Sequence, residues 1–272
     1  MNASEAIARL TEQANLSLVI FTMGLLMSRV MPVIVLSPFL GGDVVPTEVK
    51  MGLGVMLSAV LFPAVSGRMG AIPTTALPYI GLLLKEIFIG VSLALIINMV
   101  FEAARVAGNL ADTMSGSNSA QLHVPQIGQQ VTLLANLKVQ LAVVLFLTLN
   151  GHHLVIEALA DSLAVVPLDR FPRFSAGQWT FFELFIRSFA DMLRIALALA
   201  APTMLASFLT DMALGAINRV APQVQVFFIA MSIKPLATVT VVSLSLGLIM
   251  GRMQTEFATM LAILRHAIRL LG

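Results

Sequence analysis

The sequence contains no cysteine in its 272 residues. That excludes disulfides, zinc–thiolate sites, iron–sulfur clusters and thiol catalysis together. Charge is scarce too: Asp, Glu, Lys and Arg make up 11%, where a soluble globular domain carries about 25%. Such a shortage excludes a disordered chain, a coiled coil and almost any soluble enzyme. The 16 basic and 14 acidic residues leave a formal net charge of only +2. No Lys/Arg run could track a phosphate backbone, so nucleic acid is not an expected partner. A nucleotide loop is missing as well, since Gly52 and Gly54 in MGLGVML lack a third glycine and any βαβ surroundings. What is present is apolar: 58% hydrophobic residues and a mean hydropathy of +0.94. This is the composition of a membrane-associated, all-α protein. Met1–Asn15 is polar and lacks the basic start, apolar core and small-residue site of a cleaved signal peptide.

Long uninterrupted apolar runs are the next absence. A helix crossing a bilayer alone needs about 20 apolar residues, yet charges recur sooner. Lys50 to Arg68 leaves 17 residues between them, Lys138 to Glu157 leaves 18, and Arg219 to Lys234 leaves 14. A charge at mid-bilayer costs about 2.5–3.5 kcal/mol on insertion scales. So either these charges are buried against other protein, or the chain does not sit in lipid as an ordinary polytopic bundle, its short apolar segments being poor lipid-spanning rods.

Apolar blocks fall near 16–40, 51–65, 77–101, 131–149, 181–209, 224–234 and 235–251, with an amphipathic piece at 152–166 and a tail at 253–272. Apolar residues run continuously rather than alternating, which favours helices over barrel strands. Pro32, Pro38, Pro202 and Pro235 predict kinked helices and helical hairpins. No repeat or linker divides the chain, so residues 1–272 are read as one helical domain.

Gly108 to Gln130 reads GNLADTMSGSNSAQLHVPQIGQQ, a composition that predicts an adaptable loop. It is either a solvated connection or a re-entrant segment lining a pore. Glu183, Arg187, Asp191 and Arg194 fall at helical spacing and form an alternating charge stripe. That stripe either neutralises itself or docks on a polar partner helix. Lys85 and Glu86 are adjacent, about 100° apart on a helix, so mutual pairing is expected to be poor and each to need water or a partner elsewhere in the protein or in another subunit. Ser243, Gly247 and Gly251 make a small-residue ladder that lets another helix approach closely. For catalysis, Ser115 or Ser117 with His152 would need a rigid nucleophile, and a glycine-containing loop is poor support. His152, His153 and Glu157 have poor metal spacing, since only His153 shares a helix face with Glu157. No catalytic, cofactor or metal site is expected.

Five runs carry a resemblance. They are RVMPVIVLSPFLGGDVVPTEVKMGLG, LLLKEIFIGVSLALIINMVFEAARVAGNLADTMSG, VPQIGQQ, LFLTLNGHHLVIEALADSLAVVPL and APTMLASFLTDMALGAINRVAPQVQVFFIAMSIKPL. In order and spacing they resemble the FliR family of flagellar export-gate proteins, whose counterpart in virulence type III secretion is SctT. NGHHLVIEALADS looks more flagellar than virulence-type. Val124-Pro125 and Gln225 depart from the family's frequent Asp-Pro and Asn.

The resemblance implies a helical topology that combines FliP-like and FliQ-like parts in one chain. It implies a non-enzymatic export-gate subunit, assembled with FliP-like and FliQ-like subunits and served by FlhB-like and FlhA-like components. Such a gate passes unfolded export substrates through the bacterial inner membrane at the flagellar basal body, in contact with membrane lipid. A plug loop would fall on Met114, Ser115, Gly116, Ser117, Asn118 and Ser119. Subunit interfaces would use Lys85, Glu86, Glu183, Arg187, Asp191, Arg194, Gly247 and Gly251. The competing expectation is a small-solute secondary transporter, suggested by the prolines and intramembrane charges.

Overall fold

A computed structural model describes residues 3–42, 45–66, 75–116, 122–124, 129–175 and 177–272, with side chains from residue 16 onward and none at 122–124 or 129–131. Among the described residues the chain forms seven α-helices. These are α1 (Ala3–Leu36), α2 (Thr47–Ser66), α3 (Ala76–Ser115), α4 (Leu133–Thr148), α5 (Gly151–Val165), α6 (Gln178–Val220) and α7 (Val226–Leu271). A short antiparallel ribbon, β1 (Leu122–Val124) with β2 (Gln129–Val131), pairs Leu122 with Val131 between α3 and α4. The all-α class expected from composition is what the chain adopts.

Three boundaries differ from the hydropathy blocks. Pro235 does not separate two helices, because α7 runs through it and takes in the 253–272 tail. Pro32, Pro63 and Pro202 likewise lie inside helices. Long apolar helices can hold one such break because neighbouring backbone and side-chain groups make up the missing bond. Gly108 to Ser115, read as the start of a loop, is the last two turns of α3. Five helices are long and apolar enough to cross a membrane: α2, α3, α6 and α7, together with Leu16–Leu36 of α1. The charges that shorten the apolar runs in sequence do not shorten the helices.

The chain divides into two compact units. One unit holds residues 1–97, 152–184 and 261–272, and the other holds 98–151 and 185–260. In the first, buried positions on α1 recur at helical spacing: Leu25, Leu26, Arg29, Val30, Val33 and Ile34. On α3 the matching stripe is Leu82, Lys85, Glu86, Ile89, Leu93 and Ile97. Both stripes thus carry charge in the middle of an apolar seam. Gly90 lets α3 approach the α1 backbone, since a Cβ there would meet Arg29 main-chain atoms.

In the second unit the core is built on Phe101, Phe146 and Phe257, all buried, with ring centroids 5.0–5.4 Å apart. Ala104, Ala107, Gly108 and Ala111 give α3 a face of small residues. The α4 backbone comes so close there that a Cβ on Gly108 would lie 2.6 Å from the Ala135 nitrogen.

Candidate functional site

The end of α3 and the start of α4 flank the segment expected to plug a pore. Leu133 opens α4 after Thr132, whose backbone is extended (φ −73°, ψ 147°) and whose side chain makes no capping bond to its own helix. Its hydroxyl donates instead to Asn109 Oδ1 of α3 at 2.9 Å. The first amides of a helix have no partner within it. Asp112, fully buried on α3, supplies one: its carboxylate accepts the Leu134 N–H at 3.0 Å and the Ala135 N–H at 3.1 Å. A carboxylate at a helix N-terminus also meets the positive end of the helix dipole. One turn further along α4, buried Lys138 donates to the Ala107 and Leu199 carbonyls at 3.3 Å. Its ammonium lies within electrostatic reach of Asp112. Three polar links and one close backbone contact therefore tie the two helix ends into a neck.

Of the expected plug residues, Met114 and Ser115 belong to the last turn of α3 and Gly116 follows it. Met114 is exposed, and Ser115 is buried with its hydroxyl donating to the Asp112 carbonyl at 3.1 Å. Gly116 has φ +74° with open space around it. That left-handed conformation ends the helix and suits glycine. Ser117, Asn118 and Ser119 lie outside the described residues.

Lys85 and Glu86 have partners elsewhere in the protein, which was one of their expected outcomes, but the expected poor mutual pairing is not what the chain shows. They do pair: the Lys85 ammonium and Arg29 guanidinium both contact the Glu86 carboxylate. Arg29 also donates to the Ser162 carbonyl at 2.8 Å and the Val166 carbonyl at 2.9 Å. Lys85 donates to the carbonyls of Pro167, Leu168 and Arg170 at 3.0–3.1 Å. All three side chains are buried within this chain, so another subunit is not what satisfies them. The physical reason is reach. A four-carbon lysine stem can fold back to a neighbouring carboxylate, and cations are drawn to the carbonyls at the negative end of α5. Arg29 was missed in sequence; the available signal was a lone charge inside the α1 apolar stripe.

The charge stripe of α6 is partly self-neutralised, with Arg194 and Asp191 paired at 3.0 Å and both well exposed. Glu183 is half-buried and Arg187 exposed. Gly247 and Gly251 face open space, with no atom within 4 Å of a Cβ built there. Glu102 pairs with Arg105 at 3.4 Å, as their spacing predicts. Glu157 has a basic neighbour in Arg265, 3.8 Å away. Among the described residues, no three His, Asp or Glu side chains converge to hold a metal ion.

Large apolar side chains remain exposed along α6 and α7, including Phe208, Met212, Phe227, Phe228, Leu244 and Leu248. Only 11% of the apolar window of α7 is buried within the chain. A surface of that kind suits lipid or other protein rather than water.

The sequence profile of the family described as bacterial export proteins, family 1, matches residues 20–260. The flagellar biosynthetic protein FliR of Bacillus subtilis (strain 168) is 27% identical over 247 residues, covering 90% of this chain and 93% of that protein. FliR of Pectobacterium carotovorum subsp. carotovorum is 31% identical over 82% of this chain and 81% of its own. The Yop proteins translocation protein T of Yersinia pestis is 29% identical over 79% of this chain and 82% of its own. With membrane-length helices, a buried charge cluster in one unit and matches of this extent, the chain belongs to the FliR/SctT family of bacterial export proteins.

Proposed function

We propose that this membrane protein is a non-enzymatic core subunit of the flagellar type III export gate. It assembles with FliP-like and FliQ-like subunits, works with FlhB-like and FlhA-like components, and sits in the inner membrane at the basal body. The observation that carries this reading is the family match over residues 20–260, which takes in both units and the α3–α4 neck. Two of the relatives above are named flagellar biosynthetic proteins, which favours the flagellar system over the virulence one. In this reading unfolded substrates pass through the assembled channel. Met114, Ser115, Gly116, Ser117, Asn118 and Ser119 plug it when closed. Glu183, Arg187, Asp191, Arg194, Gly247 and Gly251 face sister subunits. The open flanks of Gly247 and Gly251 support that last assignment, because a small-residue face gains most from a helix packed directly against it.

The plug is tested by deleting Ser115 to Ser119 and measuring small-solute entry in cells that carry the complete apparatus. The deletion is expected to make those cells leaky while the chain still reaches the membrane. Unchanged permeability at a normal level of assembled gate removes the plug assignment.

A further inference from the structure

We infer that Asp112 is a positioning residue, which caps α4 from α3 and so fixes the two ends of the segment between Gly116 and Thr132. The inference rests on the plug reading and deepens it. Asp112 is fully buried, and its carboxylate is shared by the Leu134 and Ala135 amides. An ordinary N-cap residue would serve those amides from within α4, and Thr132 stands in that position. Thr132 instead turns its hydroxyl to Asn109, so both polar links at the start of α4 lead back to α3. Gly108 brings the two backbones into direct contact one turn earlier on α3. Lys138 completes the neck from the other side, donating to the α3 carbonyl of Ala107 and the α6 carbonyl of Leu199.

Each link alone would be an ordinary helix contact. Their arrangement is not, because the Asp112, Asn109, Gly108 and Ala107 contacts all join the end of α3, before Gly116, to the start of α4, after Val131. The span between Gly116 and Thr132 is thereby held at a fixed root, whatever its own conformation. A charged cap removed from a buried site leaves two amides without a partner. Such bonds are strong enough that the loss changes a local opening equilibrium by roughly tenfold or more.

The test uses the full chain in its assembled gate, with membrane levels matched to wild type. Asp112→Ala is expected to raise small-solute leak severalfold and to speed hydrogen exchange at the Leu134 and Ala135 amides by roughly tenfold or more. Asp112→Asn keeps the side-chain volume and guards against simple misfolding, and it is expected to give a smaller leak of the same kind. Because the sequence has no cysteine, Asn109→Cys with Thr132→Cys places a single disulfide across the neck. Oxidation of that pair in an Asp112→Ala background is expected to suppress the leak, and reduction to restore it. A role in stability alone would not respond reversibly in this way. If Ser115–Ser119 deletion leaks but neither Asp112 variant does, the positioning role is overturned and the plug stands. If amide exchange accelerates while no variant or deletion leaks, the plug reading falls and the positioning role with it.

Discussion

Glu86→Gln is expected to destabilise the chain by about 3–5 kcal/mol, the range for breaking a buried ion pair from one side. Glutamine matches glutamate in size, so no cavity forms and the loss isolates charge. What remains is Arg29 and Lys85, both buried, facing a neutral amide. Neither cation can relocate to water without giving up the carbonyls it holds at the end of α5 and in 166–170. Against a typical total stability of about 5–15 kcal/mol, the loss is large. It is measured as a lower unfolding temperature of the detergent-purified chain and a smaller amount in the membrane. Asp191→Asn is the control, since its pair with Arg194 is exposed, and it should stay within about 0.5 kcal/mol. Equal stability of the two variants would remove the buried cluster from the account of this fold.

Gly108→Leu is the second large effect. A Cβ at 108 meets main-chain atoms, including the Leu134 carbonyl oxygen at 2.8 Å. Side chains can rotate away from an intruder, but a helix backbone cannot, so α3 and α4 must separate. Overpacking costs about 1–3 kcal/mol where neighbours can adjust; here the upper end or beyond is expected, with loss of the Asp112 cap. Gly247→Leu is the informative comparison, because nothing lies within 4 Å of a Cβ there. Removing a mid-helix glycine in open space should be neutral or stabilising by up to about 1 kcal/mol. The effect of Gly247→Leu is expected in assembly instead, as weaker co-purification with FliP-like and FliQ-like subunits. A destabilised isolated chain, or full co-purification, would take Gly247 out of the proposed interface.

Much of the fold is legible in the sequence because hydropathy and helix period are local properties. Each apolar block overlaps a helix, and the family match extends over residues 20–260. The misreadings share a cause: tertiary partners decided them. Pro235 is a helix breaker in isolation, yet α7 continues through it. Gly108 belongs to a helix because Ala135 needs the space where its side chain would be. Arg29 and Glu86 stand 57 residues apart, so no spacing rule joins them. Asp112 was read as part of a polar loop, and its role emerged only from the α4 amides it caps. The charges that interrupt the apolar runs prove to include two of the cations that hold one unit together.

As proposed, this chain works as one part of a hetero-oligomeric gate. Native mass spectrometry of the detergent-extracted protein, co-expressed with FliP-like and FliQ-like subunits, tests it most directly. A stable complex containing all three kinds of subunit is the expected result. A lone monomer, or an oligomer of this chain only, would contradict the gate and favour a transporter.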